Sequence, residues 1–139
     1  MGVTTPATKL EAATATHALN GFIGTRQLQA LDQLCRGEER QFFFDMLKGL
    51  AQRVCAMPTV YEQDGKGEHA MVYLHYFVGN QDWYIMEKDA EPIQHQAFGL
   101  ADLSYGGELG YISIHELITY NIELDLYWEP KTLEAVKTK

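Results

Sequence analysis

Acidic and aromatic side chains that could do chemistry are concentrated in the segment DWYIMEKD, which contains Trp83, Tyr84, Glu87 and Asp89. If this segment is a β-strand and Trp83 faces the protein core, period-2 alternation places Glu87 toward the core as well. Burial would raise the pKa of that carboxyl and require a hydrogen-bonding partner, which makes Glu87 the best single candidate for a polar site. The simpler interpretation is that the strand has ended by residue 87 and that this side chain reaches water.

A second acidic and aromatic group lies in the alternating segment IELDLYW, where Glu123, Asp125 and Tyr127 fall on one face. Twice the strand rise separates the Cα atoms of Glu123 and Asp125 by about 6.7 Å, so the two carboxylates could share a proton or flank a substrate. A solvated strand face explains the same pattern more simply. The candidate binding residues are Trp83, Tyr84, Glu87, Asp89, Glu123, Asp125 and Tyr127.

The histidines do not form a recognised metal-binding pattern. His69, His75 and His95 lie in or beside predicted strands, but none has the spacing of a known ligand motif, and His115 in the string I-H-E-L completes only half of one. Nucleophilic catalysis has equally little support, because no G-x-S-x-G motif occurs. We therefore predict no catalytic residue, no metal and no cofactor.

The net charge of −8 is unevenly distributed along the 139 residues. Residues 1–60 have six Lys and Arg against five Asp and Glu, whereas residues 61–139 have five against fourteen. A nucleic-acid backbone would be repelled by the acidic half, so direct nucleic-acid binding is not expected. The charge is complementary to a basic protein partner, and solubility alone is the other explanation.

Hydrophobic periodicity predicts helices before Pro58. Lys9 to Leu19 forms a weak helix, residues 25–36 form a short amphipathic helix with Thr25 as N-cap and Gly37 as stop, and residues 38–57 form the strongest one.

After Pro58 the period changes to two. MVYLHYFV, from Met71 to Val78, predicts a central strand, and Gly79 to Gln81 predict a hairpin turn into the next. Further strands are predicted at residues 82–89, 94–103, 109–113 and, as the last strand, 122–128, ended by Pro130. Ser113 and Glu116 have the spacing of a capping box that starts a short helix before the last strand.

These elements predict one α+β domain over residues 1–139, with N-terminal helices packed on one face of an antiparallel sheet of about five strands. Residues 1–8 would form a flexible tail, 9–57 the helical part and 59–130 the sheet part. The sequence has no apolar run long enough to span a bilayer and no secretory signal, so a cytoplasmic protein without membrane contact is expected.

Four strings between Val72 and Leu133 carry a family likeness: WYIMEKD, AFGLADL, ELGYISIHEL and IELDLYWEPKTL. They resemble a bacterial plasmid- and phage-associated family of unknown function, whose pattern is roughly W-Y-x-x-E-x-D, F-G-x-x-x-L, E-L-G-Y-x-S-x-x-E-L and E-x-D-L-Y-F-x-P-x-x-L. Trp128 stands where that family usually has phenylalanine. The connection between the short helix and the last strand is also shorter, and the helical third lies outside the likeness.

The resemblance implies a bacterial mobile genetic element, where such domains are suspected of acting against host defence or of supporting transfer. Together with the charge, it predicts a non-catalytic accessory protein that binds another protein through an acidic, aromatic-rich surface. Two alternatives are a small enzyme or ligand-binding domain with a polar pocket around Glu87, and an acidic mimic of DNA. The sequence is also compatible with self-association into a homo-oligomer.

Overall fold

The computed structural model describes residues 5–104 and 106–138. Over these residues the chain has five α-helices, a five-stranded antiparallel sheet and a two-stranded sheet, so the predicted α+β fold class is confirmed. The helices are α1 Lys9–Ala18, α2 Thr25–Leu34, α3 Arg40–Ala56, α4 Ile114–Thr119 and α5 Leu133–Lys137. The strands are β1 Met71–Val72, β2 Leu74–Val78, β3 Gln81–Glu87, β4 Ala97–Asp102, β5 Gly107–Ile112, β6 Glu123–Leu124 and β7 Lys131–Thr132. No described helix is long and apolar enough to cross a membrane.

Helix α1 begins with a complete capping box, because Thr8 accepts a hydrogen bond from the amide of Glu11 and the Glu11 carboxylate accepts one from the amide of Thr8. The amide of Thr8 and the ammonium of Lys48 lower the pKa of Glu11. Helix α2 is capped by Gly24, so the prediction of Thr25 as N-cap is wrong by one residue. A Cβ at Gly24 would lie 3.0 Å from the carbonyl oxygen of Ile118, which favours glycine there.

The N-terminal helices cover one face of the large sheet. The buried residues of α3 are Phe43, Phe44, Leu47, Leu50 and Val54. They belong to one core cluster with Leu74 and Tyr76 of β2, Ile85 of β3 and Leu124 of β6. Tyr76 is completely buried, and its hydroxyl donates to the carbonyl oxygen of Phe22 in the connection between α1 and α2. This hydrogen bond joins the helical half to the centre of the sheet.

The five strands of the large sheet lie in the order β5-β4-β3-β2-β6. Strands β2 and β3 form the predicted hairpin, in which Val78 pairs with Gln81 across the two residues Gly79 and Asn80. Gly79 has a φ of +56°, a conformation that glycine adopts without steric cost. The turn therefore fixes the register of the central hairpin.

The segment from Met71 to Val78 is two strands, and its prediction as one strand is wrong. Tyr73 interrupts the segment, although its amide still donates to the carbonyl oxygen of Ile85. The two residues before it form β1, which pairs with β7 as a separate sheet. The segment is divided because Met71 and Val72 pair with β7 and do not continue β2.

The prediction of a last strand over residues 122–128 is also wrong, because β6 contains only Glu123 and Leu124. The Asp125 carboxylate accepts a hydrogen bond from the amide of Tyr127, and its carbonyl oxygen accepts one from the amide of Trp128. This local turn ends the strand. Ser113 starts α4 as predicted, with its hydroxyl accepting from the amide of Glu116, but among the described residues the Glu116 carboxylate does not bond back to Ser113, so only half of the predicted capping box forms.

The second face of the sheet is covered by residues 59–70 and by α5, which follows the predicted end of the sheet part. They close a smaller core that consists of Ala70, Val72, Tyr84, Met86, Leu100, Leu133 and Val136, with Trp128 packed against it. Both faces of the central strands β3 and β4 are therefore covered, by the N-terminal helices on one side and by a loop and a short helix on the other.

Candidate functional site

The structure disperses the candidate binding residues. Trp83 is half-buried and packs against the helical core, while Tyr84 is 3 % exposed in the smaller core. Glu123 is exposed on β6, and Tyr127 is exposed in the turn that follows. These aromatic rings lie in different environments and do not form one surface.

Glu87 is buried, with 4 % of its surface exposed, so the expectation that the strand ends before it is wrong. A register shift between Ile85 and Glu87 places the carboxylate opposite Phe98, on the face of the smaller core. Its Oε1 accepts a hydrogen bond of 2.9 Å from the amide of Tyr61, and its Oε2 accepts one of 2.8 Å from the amide of Gln63. Both oxygens are therefore used to hold the loop that covers this face.

Tyr61 is held by Glu87 in an unusual conformation, with a φ of +82°. A bulky residue rarely adopts this left-handed region, so the backbone strain is maintained by the surrounding hydrogen bonds. Its side chain is 65 % exposed, and its hydroxyl is hydrogen-bonded to that of Tyr111 on β5. This hydrogen bond raises the pKa of Tyr111. Glu87 thus positions an exposed aromatic ring from inside the protein.

Tyr61, Leu109 and Tyr111 form what we call the edge patch. Leu109 is 51 % exposed and Tyr111 is 55 % exposed. Both side chains lie on the same face of β5, because they are two residues apart in a strand. Phe98 on β4 packs edge-on against Tyr111, with ring centroids 6.0 Å apart. The patch is a continuous apolar area at the outer edge of the sheet.

Acidic residues occur in the two segments that contribute to the edge patch. Residues 61–70 contain Glu62, Asp64 and Glu68 against the single Lys66, and Glu108 lies on β5 next to Leu109. These carboxylates are all exposed. The negative charge of Asp64 contributes to the raised pKa of Tyr111. The edge patch therefore has at least one carboxylate, that of Asp64, close to its aromatic side chains, and none of these residues is among the predicted ones.

Asp125 belongs to a separate histidine cluster. Nε2 of His75 lies 2.7 Å from Oδ1 of Asp82, and Nδ1 lies 3.0 Å from Oδ2 of Asp125. Tyr84 stacks on the imidazole at a centroid distance of 4.8 Å, and Trp128 packs at 5.2 Å. Both ring nitrogens of His75 therefore face carboxylates, one from β3 and one from the turn after β6.

Asp89 shapes the loop between β3 and β4. Its Oδ1 accepts from the amide of Glu91 at 3.0 Å and its Oδ2 from the amide of Gln96 at 2.9 Å. The hydrogen bond from Glu91, followed by that from Gln96, lowers the pKa of Asp89. Asp89 therefore stabilises the turn by accepting backbone hydrogen bonds within the loop.

A groove of about 810 Å³ lies between the loop that Asp89 shapes and the helices, with Lys88 and His115 also in its lining. Glu87 and Tyr84 are absent from that lining. Lys88 is already engaged, because its ammonium donates to the carbonyl oxygen of Val54 at 2.8 Å. Within residues 5–104 and 106–138, no group of three or more His, Cys, Asp and Glu side chains could hold a metal ion.

None of the three residues of the edge patch is among the candidate binding residues that the sequence predicted. Leu109 and Tyr111 were visible in the string E-L-G-Y, but their exposure depends on the position of β5 at the end of the sheet. Strand order is decided by long-range pairing, which a single strand pattern does not encode. Tyr61 had no signal in the sequence, because its position is set by Glu87.

No family model matches the chain, no curated protein is significantly similar to it, and no solved structure has a significantly similar fold. The likeness to the plasmid- and phage-associated family therefore stays a prediction from its motifs.

Proposed function

We propose that the protein is a non-catalytic accessory protein that binds another protein through the edge patch. The observation that carries this proposal is the adjacency of Tyr61, Leu109 and Tyr111, each more than half exposed. Contiguous apolar surface of this kind is unfavourable in water and commonly marks an interaction site. Tyrosine is enriched in protein interfaces because its ring supplies apolar area and its hydroxyl still forms hydrogen bonds.

The charge around the edge patch supports a basic partner. Asp64 acts electrostatically on Tyr111, Glu108 follows the same strand on its other face, and residues 61–139 have nine more acidic than basic residues. Lysine and arginine side chains of a partner would be attracted to this region over a Debye length of about 8 to 10 Å at moderate salt. Binding is therefore expected to weaken as the ionic strength rises.

An enzymatic role has less support, because the groups best suited to it are occupied. General acid-base catalysis needs a side-chain atom that can reach a substrate proton. Both oxygens of Glu87 accept backbone hydrogen bonds, and both nitrogens of His75 face carboxylates. The motif likeness supports a setting in a bacterial mobile genetic element, and counter-defence by steric occlusion of a host protein fits a binding domain without catalytic groups.

The test uses a displayed library of random dodecapeptides selected against the purified protein. We expect enriched peptides to be rich in Lys, Arg and aromatic residues. Their affinity for the Tyr61→Ser/Tyr111→Ser double variant should fall at least about ten-fold, since two interface aromatics typically contribute more than 1.4 kcal/mol. Affinities are measured by calorimetry at low and high salt.

Tyr120→Ser is the matched control, because Tyr120 is 74 % exposed and lies at the end of α4, outside the edge patch. It should leave the affinity unchanged. Peptides that bind the double variant as tightly as the wild type would show that the edge patch is not the binding site, and a selection without enrichment would contradict the proposed function. Affinity that does not change with ionic strength would refute its electrostatic part.

A further inference from the structure

We propose that the outer edge of β5 binds an extended, basic segment of the partner protein as an added antiparallel strand. This inference rests on the proposed function and specifies how the edge patch would be used. Strand β5 is the terminal strand of the sheet, and no strand among the described residues pairs with its outer side. Such an edge offers unpaired amide and carbonyl groups to another chain.

The direction of these backbone groups follows from one hydrogen bond at the opposite end of the sheet. The amide of Asp125 donates to the carbonyl oxygen of His75, so the backbone groups of His75 face β6. Groups alternate along a strand, so those of Tyr76 face β3, where Tyr76 pairs with Trp83. The groups of the next residue of β3, Tyr84, then face β4.

The same alternation continues to the free edge. Tyr84 pairs with Leu100 on β4, so the backbone groups of Leu100 face β3 and those of Gly99 face β5. Gly99 pairs with Gly110, whose groups therefore face inward. The amide and carbonyl groups of Leu109 and Tyr111 consequently point away from the sheet. The two exposed side chains of β5 belong to the residues that have free backbone groups.

Strand β5 lacks most of the features that usually protect an edge, and Glu108 is its single charged residue. Its sequence, GELGYI, contains no proline and no lysine, and its pairing with β4 is continuous over six residue pairs. The opposite edge of the sheet is different, because β6 has only two residues. The edge patch is therefore at the one long open edge of the described sheet.

The chemistry of the occupant follows from which face each side chain occupies. In an added antiparallel strand, residues opposite Leu109 and Tyr111 would lie on the face of the edge patch and should be apolar or aromatic. The alternate residues would lie on the face of Glu108 and should be Lys or Arg. A second copy of this chain is a poorer match, because each copy carries a net charge of −8 and brings its own Glu108 to the edge.

The probe is the acetylated and amidated peptide Lys-Val-Lys-Tyr-Lys-Val-Lys, tested with the wild-type protein by amide hydrogen exchange. In the free protein, the amides of Leu109 and Tyr111 should exchange much faster than that of Gly110, which is bonded within the sheet. The peptide should slow both outward amides at least about ten-fold at saturation. A peptide with Glu in place of Lys, and one that is N-methylated at the Val and Tyr residues, should leave them unchanged.

The matched variants are Leu109→Pro and Leu109→Ala. Both remove the leucine side chain, but only proline removes the outward amide, and it leaves the inward hydrogen bonds of β5 in place. We expect Leu109→Pro to bind the peptide about ten-fold more weakly than Leu109→Ala, which corresponds to about 1.4 kcal/mol. Circular dichroism and urea unfolding establish that both variants are folded.

Equal affinity of the two folded variants, or unchanged exchange of the wild-type amides at peptide saturation, would overturn strand addition. The proposed function would survive that result if Tyr61→Ser/Tyr111→Ser still lost binding to the selected peptides. Protection of the Leu109 and Tyr111 amides in concentrated protein alone, with a dimer in sedimentation, would identify a second copy as the occupant and overturn the proposal of a basic segment.

Discussion

At the scale of single residues, Glu87 shows how a buried carboxylate can organise an exposed surface. Its two oxygens each accept a backbone hydrogen bond from the loop at residues 61–63. Hydrogen bonds to a charged acceptor are stronger than neutral ones, and each would leave an unsatisfied donor if the acceptor were removed. The strained backbone of Tyr61, with its positive φ, persists because this carboxylate holds it.

Glu87→Ala should therefore reduce the free energy of unfolding by about 3 kcal/mol, because two backbone amides lose a buried charged acceptor. Glu87→Gln should cost less, since its carbonyl oxygen still accepts one hydrogen bond. Urea denaturation measures both values. The control is Glu123→Ala, an exposed carboxylate on β6 that should change stability by no more than about 0.5 kcal/mol. Equal effects of Glu87→Ala and Glu123→Ala would contradict this role.

At the scale of elements, the histidine cluster joins parts of the sheet that the backbone connects only weakly. Strand β6 has just two residues, yet the following turn is fixed by the contact of Asp125 with His75 on β2. Asp82 holds the same imidazole from β3. The cluster compensates for the short strand by linking the turn after β6 to the central hairpin.

A double-mutant cycle of His75→Ala and Asp125→Ala measures this link. We expect a coupling energy of about 1 to 2 kcal/mol from urea unfolding of the four proteins, because the pair is hydrogen-bonded and half-buried. The same cycle with His75→Ala and Glu116→Ala, an exposed residue on α4, should give a coupling energy near zero. A coupling energy for His75 and Asp125 within the error of that control would show that the contact does not stabilise the turn.

The sequence predicted the type and approximate place of most elements, because Pro58 separates helical from alternating periodicity and Gly79 fixes the hairpin. The strand predictions were wrong where a local turn or register shift interrupted the alternating pattern. Leu126 and Trp128 stay partly buried, as the pattern predicts, but the Asp125 side chain has already turned the chain out of the sheet. At Glu87 a one-residue register shift moved the carboxylate to the opposite face, which a period of two cannot express.

At the scale of the whole molecule, the sheet separates two cores of unequal size. The larger core is formed with the N-terminal helices and the smaller one with residues 59–70 and α5. Leu133 in the smaller core and Leu47 of α3 in the larger core are each only 2 % exposed. The two faces therefore depend on segments from different parts of the chain.

Leu133→Ala should lower the free energy of unfolding by about 3 kcal/mol, the usual cost of a cavity at a buried leucine. Hydrogen exchange should show the greatest loss of protection in α5, β1 and β7, with α1 and α3 less affected. Leu10→Ala is the control, because Leu10 is 76 % exposed and its truncation should be nearly neutral. Uniform loss of protection across the molecule would contradict the separation into two cores.

The pairing of Val72 with Lys131 also bears on the order of folding. It closes a loop of about 60 residues, and forming such a contact requires the chain to lose considerable conformational entropy before any packing is gained. The β2–β3 hairpin and the α1–α3 pair bring together residues much closer in sequence. We therefore expect the helical side to assemble early and the two-stranded β1–β7 sheet to form in a later, slower step. The fluorescence of Trp128, whose indole donates to the carbonyl oxygen of Val72, should change when this sheet forms.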